Sequence, residues 1–329
     1  MLLMRRTRHR HKQNDIAFNR ITRNHTLHLS GTPFKALAND KFPQDAIFNY
    51  TYADEQKKKR EWNSSEQNPY ANLPQLNLFT YQMSEIVRDE LSKGKELEGE
   101  TVEYAFDLNE FFATSESGKF LYDSSVDRFL DALTSQEKFP FSTDDLRNEL
   151  KHTFWLLNRV DSAKALAKKL KAHPVFKDYE IVLAAGDGRL SADEENKKAY
   201  NKVVDAIRKY DKTITLSVGQ LTTGITIPEW AAVLMLSNVK SPALYMQTAF
   251  RSQNPCMFSN GSEFSEKRML IYLTLTQPEL WLFMNNSQMI YLLKLLTEEE
   301  ILIPTKTMFA HCSTFSLLSA KMKMENDRA

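Results

Sequence analysis

Short apolar runs recur through the second half of the chain, each followed by a polar turn and most of them then by a helical pattern. His152–Leu157 and Tyr179–Ala184 read as buried strands, Ile214, Leu216 and Val218 alternate like one, and Ala232–Leu236 is a short run of the same kind. Between them lie amphipathic stretches. Ala165, Leu166 and Leu170 share one side of a helix over Ala163–Leu170, and Tyr200, Val203, Val204 and Ile207 recur at helical spacing within Ala192–Tyr210. After Pro242, a good first residue for a helix, Leu244, Tyr245, Met246, Ala249 and Phe250 keep that spacing, with Gln247 and Arg251 four apart on one face. Strand, turn and helix in repetition predict a parallel sheet with helices on its faces.

The first half is less regular. Ile16, Phe18 and Ile21 suggest a short helix, Thr26–Leu29 a strand, and Ser30-Gly31-Thr32-Pro33 a turn. Lys57, Lys58, Lys59 and Arg60 form a charge run, read either as a solvated helix face or as a phosphate-facing one. Leu76–Met83 alternates like a strand and would complete the remnant of a first parallel sheet. Residues 91–100 are a charged linker, and Val102–Phe112 and Val126–Leu133 are apolar and helical.

Bulk numbers narrow the classes. At 329 residues the chain is long enough for two domains. A net charge of +1 means that any nucleic-acid site is a local patch. The basic start, with Arg5, Arg6, Arg8, Arg10 and Lys12, is either an arm for phosphates or a tail. Cys256 and Cys312 give neither a disulfide framework nor a metal quartet, so the expectation is a reducing, cytoplasmic setting and no metal site. No apolar run reaches the ~20 residues that span a bilayer. Scattered histidines, and the absence of Gly-x-Ser-x-Gly and His-Glu-x-x-His, leave little support for a Ser/Cys hydrolase or a metalloenzyme.

Residues 217–228, SVGQLTTGITIP, and residues 247–255, QTAFRSQNP, carry a family likeness. They resemble motifs V and VI of superfamily 2 DEAD/DEAH-type helicases and translocases, in particular the motor parts of type I and type III restriction enzymes. Gln247 and Arg251 match the Gln-x-x-Gly-Arg-x-x-Arg pattern, and Phe250 and Asn254 depart from it. Ser30-Gly31-Thr32-Pro33 resembles motif III, and Asn158 and Arg159, at the end of a strand, resemble motif IV. The likeness implies RecA-like parallel sheets with flanking helices, one lobe partial and one nearly complete.

It also implies roles. Arg251 would be an arginine finger reaching a γ-phosphate, a role worth ~10³–10⁵ in rate in enzymes of this kind. Gln247 and Gly224 would lie beside the same nucleotide. Ser30, Thr32, Asn158, Arg159, Ser217, Thr222 and Thr223 would meet a DNA backbone, duplex or single-stranded, without reading its sequence. A helix-face ion pair for Arg251, a helix cap or surface position for Arg159, and loop-capping hydroxyls for Ser217, Thr222 and Thr223 are the plainer alternatives. An intact relative would use ATP and Mg²⁺. Here Gly-x-x-x-x-Gly-Lys-Ser/Thr and an in-frame Asp-Glu-x-His are both missing, so neither is expected to bind this chain tightly by itself. The missing motor, nuclease or methylase parts are the expected partners, and no membrane is.

The expected divisions are residues 1–14, basic; 15–90, a partial first lobe; 91–145, a helical connector; 146–267, the second lobe; and 268–329, a tail. That tail has no Gly and no Val but half of the 12 methionines. Leu273–Trp281 can be back-translated so that the frame one nucleotide earlier reads Phe-Asp-Phe-Asp-Pro-Ala-Arg-Thr-Leu, and Leu3–Thr7 so that it reads Asp-Glu-Ala-His. The expectation is therefore a fragment of a DNA translocase with out-of-frame ends. A non-catalytic DNA-binding module and a non-functional product of a frameshifted gene are the alternatives. Sequencing the gene around the Arg268 codon tests this: the longer peptide is expected in the neighbouring frame, and its absence ends the idea.

Overall fold

A computed structural model describes residues 25–32, 42–48, 50–81, 107–135, 139–186, 191–239, 241–260, 263–267 and 269–275. The basic arm, the Ile16–Ile21 helix, the 91–100 linker and the tail from residue 276 lie outside them. Six strands form one sheet: β1 (Gln75–Tyr81), β2 (His152–Leu156), β3 (Glu180–Ala184), β4 (Thr213–Ser217), β5 (Trp230–Met235) and β8 (Met269–Leu275). Their order is β1-β8-β5-β2-β4-β3, and every pair is parallel. The remaining strands, β6 (Met257–Asn260) and β7 (Glu263–Glu266), form an antiparallel hairpin. The helices are α1 (Tyr52–Glu61), α2 (Leu108–Phe111), α3 (Asp123–Ser135), α4 (Asp144–Glu149), α5 (Val160–Ala172), α6 (Ala192–Lys209) and α7 (Pro242–Ala249). The chain is α/β, with a parallel sheet between helical layers, as its strand–turn–helix pattern predicts.

A parallel sheet must be covered on both faces, and strand alternation divides the core accordingly. Trp155, Leu157, Ile214, Leu216, Ala232, Leu234 and Ile271 face one layer, filled by α2, α3 and α5. Phe154, Leu156, Val182, Val233 and Met235 face the other, against Ala199 and Val203 of α6 and Ala249 of α7. Helix α3 shows why the first layer is dense. Val126, Phe129, Leu130 and Leu133 recur at three- and four-residue spacing, and Phe129 packs edge-on against Phe111 and Phe112. Residues 107–145 therefore build a wall of the core; their likeness to a connector ends there.

Two strands lie elsewhere than expected. Strand β1, expected from its alternation to complete a first-lobe sheet, pairs instead with β8 at the edge of the sheet that holds β2, β4 and β5. Strand β8 lies past residue 267, where the second lobe was expected to stop, and it sits between β1 and β5. Pairing over such sequence separations has no local signature. The expected strand at Thr26–Leu29 has no regular structure and no ladder partner among the described residues.

His152, at the start of β2, is 5 % exposed and shares a hydrogen bond with the Thr213 hydroxyl (3.0 Å). Burial pushes its pKa down to about 4 from 6.5. The unfolded chain thus binds a proton between those values that the folded chain refuses. Stability is full above pH 6.5 and falls as pH drops toward 4, by about 3 kcal/mol for this group. Urea titrations from pH 7.5 to 4 are expected to show that fall, with a shallower one for His152→Asn.

Candidate nucleotide and nucleic-acid site

The carboxyl ends of the parallel strands are where open α/β sheets meet ligands. Strand β2 runs into Asn158 and Arg159, both exposed, just before α5. Arg159 is the N-cap residue of that helix, and its side chain makes no capping bond. The residue thus stands at the positive end of the helix dipole, a place that suits an anion.

Strand β4 runs into the loop that resembles motif V, and internal bonds hold this loop. Ser217 Oγ donates to the Gln220 carbonyl, and Thr222 Oγ1 donates to the Gly219 carbonyl at 2.7 Å. The Leu221 N–H donates to Asn196 Oδ1 of α6 at 3.3 Å. With its amide nitrogen toward the Ala184 carbonyl (2.9 Å), Gln220 accepts from the Gly186 N–H (2.7 Å), so the loops after β3 and β4 are stitched together. A Cβ at Gly186 would lie 2.1 Å from the Glu195 carboxylate and 2.5 Å from the Gln220 amide, so a larger residue there requires both side-chain ends to shift.

Three loop residues hold positive φ: Gly219 at 92°, Leu221 at 62° and Gly224 at 75°. The left-handed conformation is costly for leucine. Here it turns the Leu221 side chain into the core, where it is 1 % exposed. Ser217 and Thr222 are buried, with their hydroxyls bonded inside the loop. This is the loop-capping arrangement, and it leaves Gly219, Thr223, Gly224 and Thr226 exposed.

Helix α7 starts as its sequence predicts. Pro242 occupies the first turn, and the Ser241 hydroxyl accepts from the Leu244 N–H at 3.3 Å. Half-buried Gln247 donates from Nε2 to Thr32 Oγ1 at 3.1 Å, across 215 residues of chain. The exposed Ser30 side chain accepts from the Thr32 N–H at 3.2 Å. Arg251 sits in the 3₁₀ turn that follows α7. Its Nε donates to the Gln247 carbonyl (2.9 Å) and its Nη1 to the Ile225 carbonyl. Burial draws its pKa below the usual arginine value.

Segments resembling motifs III, V and VI thus meet at Thr32, Gln247, Arg251 and the 218–226 loop. No hydrogen bond joins Asn158 or Arg159 to that group among the described residues. Arg251 makes no ion pair there either, so the helix-face ion pair is not what it forms. By themselves these residues do not fit a magnesium nucleotide. Two guanidinium nitrogens and the Gln247 amide already have protein partners, and the described residues hold no cluster of three or more His, Cys, Asp or Glu side chains.

Sequence reading missed three anchors. Lys267 is 1 % exposed and donates to the carbonyls of Pro228 (2.7 Å), Trp230 (3.1 Å) and Ser252 (2.8 Å). It ties the foot of β5 to the turn that carries Arg251, and burial pushes its pKa down to about 8. Asn238 accepts from the Leu108 N–H and donates to Asp107 Oδ1, holding the β5–α7 loop against α2. Gln220 is the third. A lone Lys, Asn or Gln in a polar stretch carries no pattern that would mark it.

No protein-family profile matches the chain. It is 32 % identical over 257 residues to a Mycoplasma pneumoniae protein named as a putative type II restriction enzyme and methyltransferase, RM.MpnORF110P C-terminus. The match covers 69 % of this chain and 34 % of that relative, so the chain spans about a third of the length of the curated relative it matches. Among solved structures it is similar to the C-terminal part of the Fun30 ATPase domain (13 % identity, 63 % of this chain and 55 % of that one, TM-score 0.30). It is also similar to the E. coli DEAD-box protein SrmB (11 %, 64 % and 81 %, 0.31). A third likeness is to the ATP-dependent type ISP restriction-modification enzyme LlaBIII bound to DNA (13 %, 76 % and 15 %, 0.41).

If Arg251 holds the 218–226 loop, Arg251→Met should release it. Amide exchange at 225–227 is expected to rise about tenfold, with a loss of about 1–3 kcal/mol in stability. Unchanged exchange would mean that the loop keeps itself in place.

Proposed function

We propose that this chain is the DNA-tracking, second-lobe portion of an ATP-dependent DNA helicase or translocase of a restriction-modification system. One observation carries the reading: Thr32, Gln247, Arg251 and the 218–226 loop, hundreds of residues apart in part, converge at one place. The relative named as a restriction enzyme and methyltransferase supports the restriction setting. In this reading DNA is held without regard to sequence, through its backbone, by Arg159, Asn158 and Thr223, which are exposed. Ser30 is the other exposed hydroxyl among the expected DNA contacts. Arg251, Gln247 and Gly224 face a nucleotide only once another part of the motor supplies the phosphate-binding loop and the magnesium-holding acids. Turnover by the chain alone is not expected. The expected divisions, with residues 15–90 and 146–267 as motor lobes and 268–329 as an out-of-frame tail, belong to the same reading, but residues 75–81 and 269–275 pair within the sheet of 146–267 and so cross them. A cytoplasmic location follows from a DNA substrate. No described helix is long and apolar enough to cross a membrane.

A second reading, a DNA-binding or interaction module without catalysis, is favoured by one contact. Arg251 already gives two of its nitrogens to backbone carbonyls. DNA binding and ATP turnover separate the two readings. Fluorescence anisotropy with duplex and single-stranded DNA of unrelated sequences is expected to show binding that weakens with salt. Arg159→Ala should weaken it about equally on every sequence and lower the salt slope by about 1. An unchanged slope would remove Arg159 from the contact. ATP turnover stimulated by DNA, once the missing motor part is added, supports the first reading; binding without turnover in that mixture supports the second.

A further inference from the structure

Phe48 and Tyr50 stand just before α1 with their rings nearly parallel, 7° apart in plane and 6.4 Å between centroids. Rings in face-to-face contact would hide each other, yet Phe48 is 89 % exposed and Tyr50 43 %. Their faces are therefore open. Tyr50 is nevertheless fastened in place. Its hydroxyl donates to the Tyr70 hydroxyl at 3.1 Å, and the Tyr70 ring meets Trp62 edge-on at 6.2 Å. Trp62 Nε1 donates to the Glu66 carbonyl (2.9 Å) and Asn68 Nδ2 to the Lys59 carbonyl (3.0 Å), which ties residues 62–70 to α1. A lone exposed ring needs no explanation, but a parallel pair with one ring held from behind is a preformed contact surface.

The charge beside this pair is negative. Half-buried Glu55, in the first turn of α1, has no hydrogen bond or ion pair to its carboxylate among the described residues. Burial without a counter-charge raises its pKa above the ordinary 4.5. At Tyr50 the Tyr70 hydrogen bond, and behind it the Glu55 and Asp54 carboxylates, push the hydroxyl up to about 12. Asp54 is already committed to the cap of α1, where it accepts from the Thr51 N–H (2.7 Å) and hydroxyl (2.6 Å). The cations of the same helix leave Glu55 alone. Lys59 Nζ donates to the Leu73 carbonyl (2.7 Å), the charge of Lys57 acts on Asp54 and that of Arg60 on Tyr52, and exposed Lys58 forms no ion pair with Glu55. Among the described residues no cation lies over either ring. Aromatic faces attract a cation within about 6 Å of the centroid. With centroids 6.4 Å apart, one cation can lie inside that range of both. A guanidinium suits the place best, because its plane stacks on rings while its N–H fork reaches a carboxylate.

We propose that Phe48, Tyr50 and Glu55 form a binding site for a guanidinium group, stacked on the two rings and paired with the Glu55 carboxylate. The site goes beyond the DNA reading and does not depend on it, since the negative field there turns phosphates away. The guanidinium has two sources of the same chemistry. One is the basic start of this chain, with Arg5, Arg6, Arg8 and Arg10. The other is an arginine of another polypeptide.

The probe is a peptide with the sequence of residues 5–12, alongside a copy with neutral citrulline at every arginine. Each is titrated into the full chain with ring-labelled Phe and Tyr, and into the same chain carrying Arg5→Gln, Arg6→Gln, Arg8→Gln and Arg10→Gln. Ring NMR signals of Phe48 and Tyr50 are expected to shift with the arginine peptide and not with the citrulline copy. A response in both chains assigns the guanidinium to an outside polypeptide; a response in the Gln chain alone assigns it to the chain's own start. Glu55→Gln and Phe48→Leu should each weaken binding about fivefold, and Phe48→Tyr should keep it. Amide exchange in β2, β4 and β5 checks that these variants fold. No shift in either chain, equal shifts with the citrulline copy, or binding indifferent to Glu55→Gln overturns the proposal. A short oligothymidylate that shifts both signals more strongly than the peptide, and loses that effect in Lys57→Gln with Lys58→Gln, overturns it in favour of nucleic acid. DNA binding with its Arg159 dependence is expected to persist in Phe48→Leu and Glu55→Gln. Its absence from the unaltered chain would strike the proposed function and leave this site standing.

Discussion

Everything in this fold depends on burying a parallel sheet on both faces. Strands β2, β4 and β5 are covered throughout, so each residue must suit one of two apolar layers. Phe154 and Trp155 are neighbours in sequence and lie in different cores. A one-residue slip would exchange every contact at once, so the register is firmly held. That rigidity lets the loops at the carboxyl ends of the strands keep a demanding geometry, including a leucine at φ 62°.

The candidate site is built from what those loops cannot avoid doing. Buried hydroxyls must find acceptors, and Ser217 and Thr222 find them in their own loop. The guanidinium of Arg251 is half-buried, so it too takes backbone carbonyls, and in doing so it joins α7 to the loop. The same demand explains Lys267. A buried ammonium needs several acceptors, and three carbonyls at the foot of β5 provide them. Structural satisfaction and functional placement therefore compete for the same polar atoms. Of the expected DNA contacts, Asn158, Arg159, Thr223 and Ser30 are left exposed.

Much of the sheet was legible because buried parallel strands are continuous apolar runs. His152–Leu156, Glu180–Ala184, Thr213–Ser217 and Trp230–Met235 each lie close to where their runs predict. The helices were legible for a similar local reason: Ser191 and Glu194 form a capping box, and Pro242 opens α7. The placement of β1 beside β8 was not legible, since 194 or so residues separate them and pairing at that range follows the shape of the assembled core. Nor was the strand-like segment at Thr26–Leu29 a safe reading, because alternation records a preference and a ladder needs a partner.

The amino-acid order by itself determined the class of fold and the helix starts, because propensity, capping and periodicity act over a few residues; the polar residues of the candidate site were marked by resemblance to a family rather than by any local pattern. Tertiary structure alone decided which of those polar atoms stay available. Whether a hydroxyl or guanidinium meets solvent or a carbonyl depends on neighbours from distant segments, and only the folded core brings Thr32 to Gln247 and Arg251 to Ile225.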